Sequence, residues 1–236
     1  MALDLESSEM ITTAIGIIGG GIVAILTTIA VEVLRRPKLR LRIAPAIDAP
    51  YPAGRPAKQG RALTIDLINE PLPRLARWML RSAALQCRGV IAFHNLDGER
   101  FFANEMPVRF AHSAQPLPME VVIGNAHGIV VDPLRLTTDS RIDVYPGETT
   151  PLDVAVKFDG EEEAYGWSNL SYLSNPPWRH PDWKLPQGCF LISVTVFSSG
   201  QKCEGLFRLL NQGGPRDFRL EPALPGDKVI SPIPSA

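Results

Sequence analysis

The chain opens on an apolar run. From Met10 to Val31 there are 22 consecutive residues without Asp, Glu, Lys, Arg, Asn, Gln or His. As an α-helix rising about 1.5 Å per residue, that run spans about 33 Å, enough for a hydrocarbon core of about 30 Å. It lacks the polar face that a helix lying on a soluble domain would show. The pattern predicts a transmembrane helix over residues 10–34, preceded by a short N-terminal segment, 1–9. A secretory signal fits poorly, because acidic residues precede the run and the run is long for such a signal.

Beyond residue 37 the period changes to two. In Lys38–Ile43, Leu39, Leu41 and Ile43 alternate with Lys38, Arg40 and Arg42. Leu63, Ile65 and Leu67 repeat the pattern. Leu152, Val154, Val156 and Phe158 alternate with Asp153 and Lys157, which predicts a single inward row. Cys189–Phe197 and Lys202–Leu210 flank Ser198-Ser-Gly-Gln201, a hairpin signal. Further strands are expected at Leu85–His94, Val108–His112, Gly128–Val131 and Asp217–Leu220. Short strands with Gly/Pro punctuation predict a mainly β fold, an immunoglobulin-like β-sandwich over residues 35–221. Ala44–Gly60, with four prolines, and Tyr165–Gly188 read as long loops, and 222–236 reads as a loosely ordered Pro-rich tail.

Charge adds a direction. The whole chain holds 24 Lys+Arg against 25 Asp+Glu, a net charge of −1 that argues against a nucleic-acid partner. Asp4, Glu6 and Glu9 precede the apolar run, while Arg35, Arg36, Lys38, Arg40 and Arg42 follow it. That asymmetry predicts a single-pass protein of the cell membrane, its N-terminus outside and its C-terminal domain cytoplasmic. The lipid bilayer is then the first expected partner, with the five basic residues near anionic headgroups. Residues 35–109 hold 14 basic and 6 acidic side chains, so the excess continues into the domain. Arg74, Arg77, Arg81 and Arg88 would share a face if Pro73–Cys87 formed a short helix.

The glycines in the apolar run admit two readings. Thr12, Gly16, Gly20, Ala24 and Thr28 recur every fourth residue. Gly16, Gly20 and Ala24 would let a second helix approach closely, giving a helix–helix partner or a homo-oligomer. Alternatively, Gly19-x-Gly21-x-x-Ala24 fits a dinucleotide-binding fingerprint, with strands at Ala14–Ile18 and Lys38–Ile43, which would make a nucleotide-binding oxidoreductase. Against this, the second strand runs into Ala44-Pro45-Ala46 rather than an acidic residue.

Aromatic residues concentrate late in the chain. Tyr165, Trp167, Tyr172, Trp178 and Trp183 fall within nineteen residues. Such a loop either builds its own small core or stacks on a sugar, a base or a proline. In an exported domain it would make a carbohydrate-type ligand-binding module. Gly166-x-Ser168 is an incomplete nucleophile elbow. His180-Pro-Asp182 offers two metal ligands where a site needs more, and His94, His112 and His127 fall on separate strands. No catalytic residue, metal or cofactor is assigned. Cys189 and Cys203 are expected as free thiols, because hairpin partners summing to about 399 set Cys203 opposite Val196 and Cys189 opposite Leu210.

Ala84-x-x-Cys87-x-Gly89-x-Ile91 resembles a strand of Ig-like modules in bacterial and archaeal membrane proteins. Tyr165-Gly-Trp-Ser-Asn-Leu-Ser-Tyr172, after Tyr145-Pro-Gly-Glu148, resembles a signature of uncharacterised prokaryotic single-pass membrane-anchored proteins with an Ig-like β-sandwich domain. Leu170 stands where that pattern has an acidic residue. The resemblance spans roughly residues 38–220 and implies a sandwich behind an anchor, with no activity attached. The expected protein is a membrane-anchored, non-enzymatic interaction or accessory module, a subunit of a membrane complex.

Overall fold

Alternating residues pair as strands. The computed structural model describes residues 20–51, 58–76, 78–112, 119–123, 126–130, 141–174 and 176–230. Among these are a helix, α1 (20–35), and the strands β1 (Leu39–Ile43), β2 (Ile47–Tyr51), β3 (Lys58–Asn69), β4 (Ala84–His94), β5 (Met106–Pro107), β6 (Arg109–Phe110), β7 (Met119–Ile123), β8 (Ala126–Val130), β9 (Ile142–Val144), β10 (Thr149–Phe158), β11 (Ala164–Gly166), β12 (Lys184–Leu185), β13 (Gly188–Ser198), β14 (Gln201–Asn211) and β15 (Phe218–Pro222). One antiparallel sheet runs β1-β3-β10-β11-β12, with β2 also on β3 and β6 on β10. The other runs β15-β14-β13-β4-β5, with β9 also on β4, and β7–β8 is a separate hairpin.

Both sheets feed one hydrophobic cluster. Leu63, Ile65, Leu67 and Leu152 come from the first sheet, and Ile91, Phe93, Ile192, Val194, Phe207 and Leu209 from the second. The mainly β fold expected from period two is therefore present. The β13–β14 register pairs Cys189 with Leu210 and Val196 with Cys203, and all three cysteines are free.

Several expectations change. The row on β10 is broken by a register shift between Asp153 and Ala155. Leu152, Val154 and Ala155 enter the shared core, whereas Val156 and Phe158 join a second cluster. One extra residue in a strand sends everything after it to the opposite face. Ala44–Gly60 is not a loop throughout: β2 lies along β3 from Ile47↔Ala62 to Tyr51↔Lys58, and Pro50 fits because β2 is an edge strand. Pro73–Cys87 is not a helix. It holds one 3-10 turn, Arg74–Ala76, before β4 begins, so Arg74, Arg81 and Arg88 share no helical face; Arg77 lies outside the described residues.

The tail beyond Pro222 is strapped down as far as Ile230. Asp227 takes two hydrogen bonds from Arg208 of β14, at 2.6 and 2.7 Å. The Ile230 N–H donates to the Gly98 carbonyl at 3.0 Å. Gly98 has φ +91°, and a Cβ there would strike the Lys228 carbonyl, so the strap and the turn fit only around glycine.

The structure bears unequally on the membrane and nucleotide readings of the N-terminus. No helix among the described residues is long and apolar enough to cross a membrane. Of the expected span 10–34, residues 20–34 are described and are helical, and residues 10–19, Gly16 among them, lie outside the described residues. The first strand of the dinucleotide reading, 14–18, also lies outside them. Its second, β1, is an edge strand antiparallel to β3, whereas a dinucleotide fold requires a parallel neighbour. The fingerprint Gly19-x-Gly21-x-x-Ala24 is thus without its fold, and its described residues, 20–24, are helical.

Candidate functional site

The helix joins the β domain at one end of the sheets, and that junction is built around an amide. Asn69, fully buried, accepts from the Lys38 N–H through Oδ1 at 3.1 Å. Its Nδ2 donates to the carbonyls of Ser82 at 3.1 Å and Val144 at 3.0 Å. Three chain segments thereby converge on one side chain. Above it, the Ser82 N–H donates to the Arg35 carbonyl at 2.7 Å, and Arg81 Nη1 donates to the Arg36 carbonyl at 2.9 Å. These bonds satisfy carbonyls that the end of α1 would otherwise leave to solvent.

The segment between β3 and β4 is tethered by these bonds and shaped by proline. The Ala76 N–H donates to the Pro73 carbonyl at 2.9 Å, and Met79 N–H to the Ala76 carbonyl at 3.0 Å. Three of its apolar side chains face outward, Leu75 at 95%, Trp78 at 80% and Leu80 at 79% exposed, while Leu72 is buried. Leu72, Arg74, Met79, Leu80 and Pro146 line a shallow cleft of about 460 Å³. Tyr145, next to that cleft in the chain, is also exposed.

The basic residues after α1 divide in two. Lys38 and Arg40 share Glu70 at 2.8 and 3.3 Å, and Arg42 meets Asp66 at 2.9 Å. The Lys38 hydrogen bond holds the Glu70 carboxyl below its usual range, with Arg40 adding to the effect. All three basic side chains remain largely exposed, so the pairs are weak and screened. Arg35 and Arg36 serve the junction through their carbonyls. On α1, Gly20 and Ala24 are exposed, and a Cβ at Gly20 would meet nothing within 4 Å.

The aromatic loop is packed inward. Tyr165, Trp167, Tyr172 and Trp178 cover Ala62, Val156 and Phe158 on the face of the first sheet turned away from the shared core, and Trp183 enters the shared core itself. All five rings are buried. Trp178 has φ +63°, a strained backbone that the lid holds in place. Beneath the lid, Arg109 of β6 makes a buried ion pair with Asp153, its cross-strand partner on β10. The Arg109 guanidinium also lies 5.5 Å from the Tyr172 ring centre. Arg179 closes the lid edge: it sits 3.9 Å over the Phe158 ring and donates to both oxygens of Glu161, at 2.8 to 3.2 Å. Asn169 lies in the lid's first 3-10 turn, and Asn175 lies outside the described residues. His180 accepts from the Asp182 N–H at 3.3 Å, capping a turn. Ser168 is buried, and its N–H donates to Ser171 Oγ at 3.1 Å. No group of three metal-ligating side chains occurs among the described residues.

A second groove, about 660 Å³, lies on the outer face of the second sheet beside the C-terminal strap. There His94 Nδ1 is 3.2 Å from the Gly98 carbonyl and Nε2 is 3.1 Å from Ser193 Oγ. A carbonyl only accepts, so Nδ1 carries the proton and Nε2 accepts from the serine. Burial pushes the His94 imidazole below its usual range, which keeps it neutral. Ser193 sits mid-strand between Ala92 and Leu206, without the sharp turn that presents a nucleophile. The pair is a cross-strand lock between β4 and β13.

Sequence reading missed the exposed apolar group at 75–80. The signal was there: residues 71–83 hold three arginines and no acidic residue beside Leu, Trp and Met. Asn69 and Ser193 gave no local signal, because their partners are distant in the chain. Comparison with family models, with curated proteins and with solved structures finds no match.

Proposed function

We propose that this chain is a membrane-anchored, non-enzymatic interaction module. An N-terminal helix would cross the lipid bilayer once, and an Ig-like β-sandwich would stand on the cytoplasmic face. One observation carries the reading: α1 leaves Ile22, Val23, Ile25, Leu26, Ile29, Val33 and Leu34 about half exposed or more. A helix in water would bury such a surface. The hydroxyls of Thr27 and Thr28 bond back to the Val23 and Ala24 carbonyls at 2.8 and 2.9 Å, which suits an apolar solvent. Basic residues follow directly, and each one near an anionic leaflet contributes about 1 kcal/mol. The exposed Gly20–Ala24 row would admit a second helix or a second copy of the chain.

Fractionation tests the anchor. Full-length chain should pellet with membranes, resist a carbonate wash and dissolve in detergent, while a variant lacking residues 1–34 should stay in the supernatant. Full-length chain in the supernatant without detergent would overturn the reading. Protease added to intact cells tests the side: digestion of the β domain would replace the cytoplasmic placement with an exported module.

A further inference from the structure

We infer that the segment joining β3 to β4 is a lipid-interface loop, in which Leu75, Trp78 and Leu80 enter the boundary between headgroups and acyl chains while Arg74 and Arg81 meet anionic phosphates. The inference rests on the membrane reading of α1. Leu75, Trp78 and Leu80 are the three most exposed large apolar side chains among the described residues, at 95%, 80% and 79%. They lie within six residues of one another, whereas scattered exposed apolar residues would need no explanation.

Position names the occupant. The segment is hydrogen-bonded to the end of α1 at two points, Ser82 to Arg35 and Arg81 to Arg36. An element fixed to the exit of a membrane helix stands at the height of the headgroups. Composition agrees: arginine, tryptophan and leucine without acidic residues suit an interface, where an indole keeps its ring in the acyl boundary and its N–H in water. The exposed Tyr145 stands on the turn after β9, whose Val144 carbonyl is bonded to Asn69 and so to the same junction. The 3-10 turn Arg74–Ala76 in this segment buries none of its residues. The domain would then lie against the bilayer at this end, with less freedom than a single tether leaves.

Tryptophan fluorescence of the full chain reconstituted into vesicles tests this. Trp167, Trp178 and Trp183 are buried in the β domain, so Trp78 is the one a lipid-borne quencher reaches among the four. Vesicles of phosphatidylcholine with phosphatidylglycerol, brominated high on the acyl chain, should quench the wild-type emission. Trp78→Phe should remove that quenching while the chain still floats with the vesicles. Arg74→Glu should weaken it on anionic vesicles more than on phosphatidylcholine alone. Chain that floats with the vesicles yet shows no Trp78-dependent quenching overturns the inference and leaves the anchor standing. The same holds if Trp78 is shielded only as chain density rises, which would assign the segment to a second copy. Chain that fails to float overturns both.

Discussion

Asn69 and Ser82 meet at the root of the helix. The Asn69 amide donates to the Ser82 carbonyl at 3.1 Å, while the Ser82 N–H donates to Arg35 at 2.7 Å. A buried side chain on β3 thereby sets where the β3–β4 segment stands relative to α1.

Replacing Asn69 by Ala should cost about 2–4 kcal/mol, because the buried Val144 carbonyl and two part-buried backbone groups lose a partner, at about 1–3 kcal/mol for a buried group and less for the others. The melting temperature of the full chain in mild detergent measures this. An unchanged melt would show that water replaces the amide.

Arg109 and Asp153 are each almost completely buried. Arg109→Leu alone should destabilise by about 3–5 kcal/mol, since it strands a carboxylate beneath the aromatic lid. Adding Asp153→Leu should recover most of that loss. Denaturant titration of the single and double variants checks the pair, and equal losses in both would refute the account.

Burial lowers the His94 pKa from an ordinary 6.5, against the opposing hydrogen bond that Nδ1–H donates to the Gly98 carbonyl; Arg100 lowers it further and Glu105 raises it. Near pH 6.5 the unfolded chain takes up a proton that the folded chain resists. Stability from neutral His94 is therefore complete above that pH and lost as the pH falls through it. Melting temperatures should drop on acidification from about pH 7 to about pH 5.5, and His94→Gln should flatten part of that drop. A wild-type curve that is flat or rises on acidification contradicts the assignment.

Gly98→Ala should loosen the C-terminal strap. Alanine at φ +91° is strained, and its Cβ meets the Lys228 carbonyl. The expected cost is about 1–3 kcal/mol, with faster proteolysis near residues 223–230. Equal cleavage of variant and wild type would show that Arg208–Asp227 alone secures the strap.

Local periodicity carried much of the β architecture. Leu63, Ile65 and Leu67 read correctly as an inward row because side chains alternate across a pleated strand whatever lies beyond it. The β13–β14 register was legible for the same reason, since a two-residue turn dictates every pair behind it. Lys38–Ile43 was equally clear as a strand, and its antiparallel pairing is what removes the nucleotide fold.

Long-range partners decided the remainder. The bulge at Asp153–Ala155 turns Val156 and Phe158 to the lid, and no residue type near it announces the shift. The five aromatics from Tyr165 to Trp183 have the composition of a binding surface and the burial of a core, because the sheet face that receives most of them is assembled from β3 and β10, distant in the chain. Trp78 stands in a basic, acid-free stretch, which by itself does not say what the side chain faces. It became informative once Ser82 and Arg81 were found bonded to the end of α1, since closeness to a helix exit is a property of three-dimensional neighbours. Alternation acts over a few residues and is written in them; bulges, lids and junctions depend on which distant segments arrive to share a hydrogen bond.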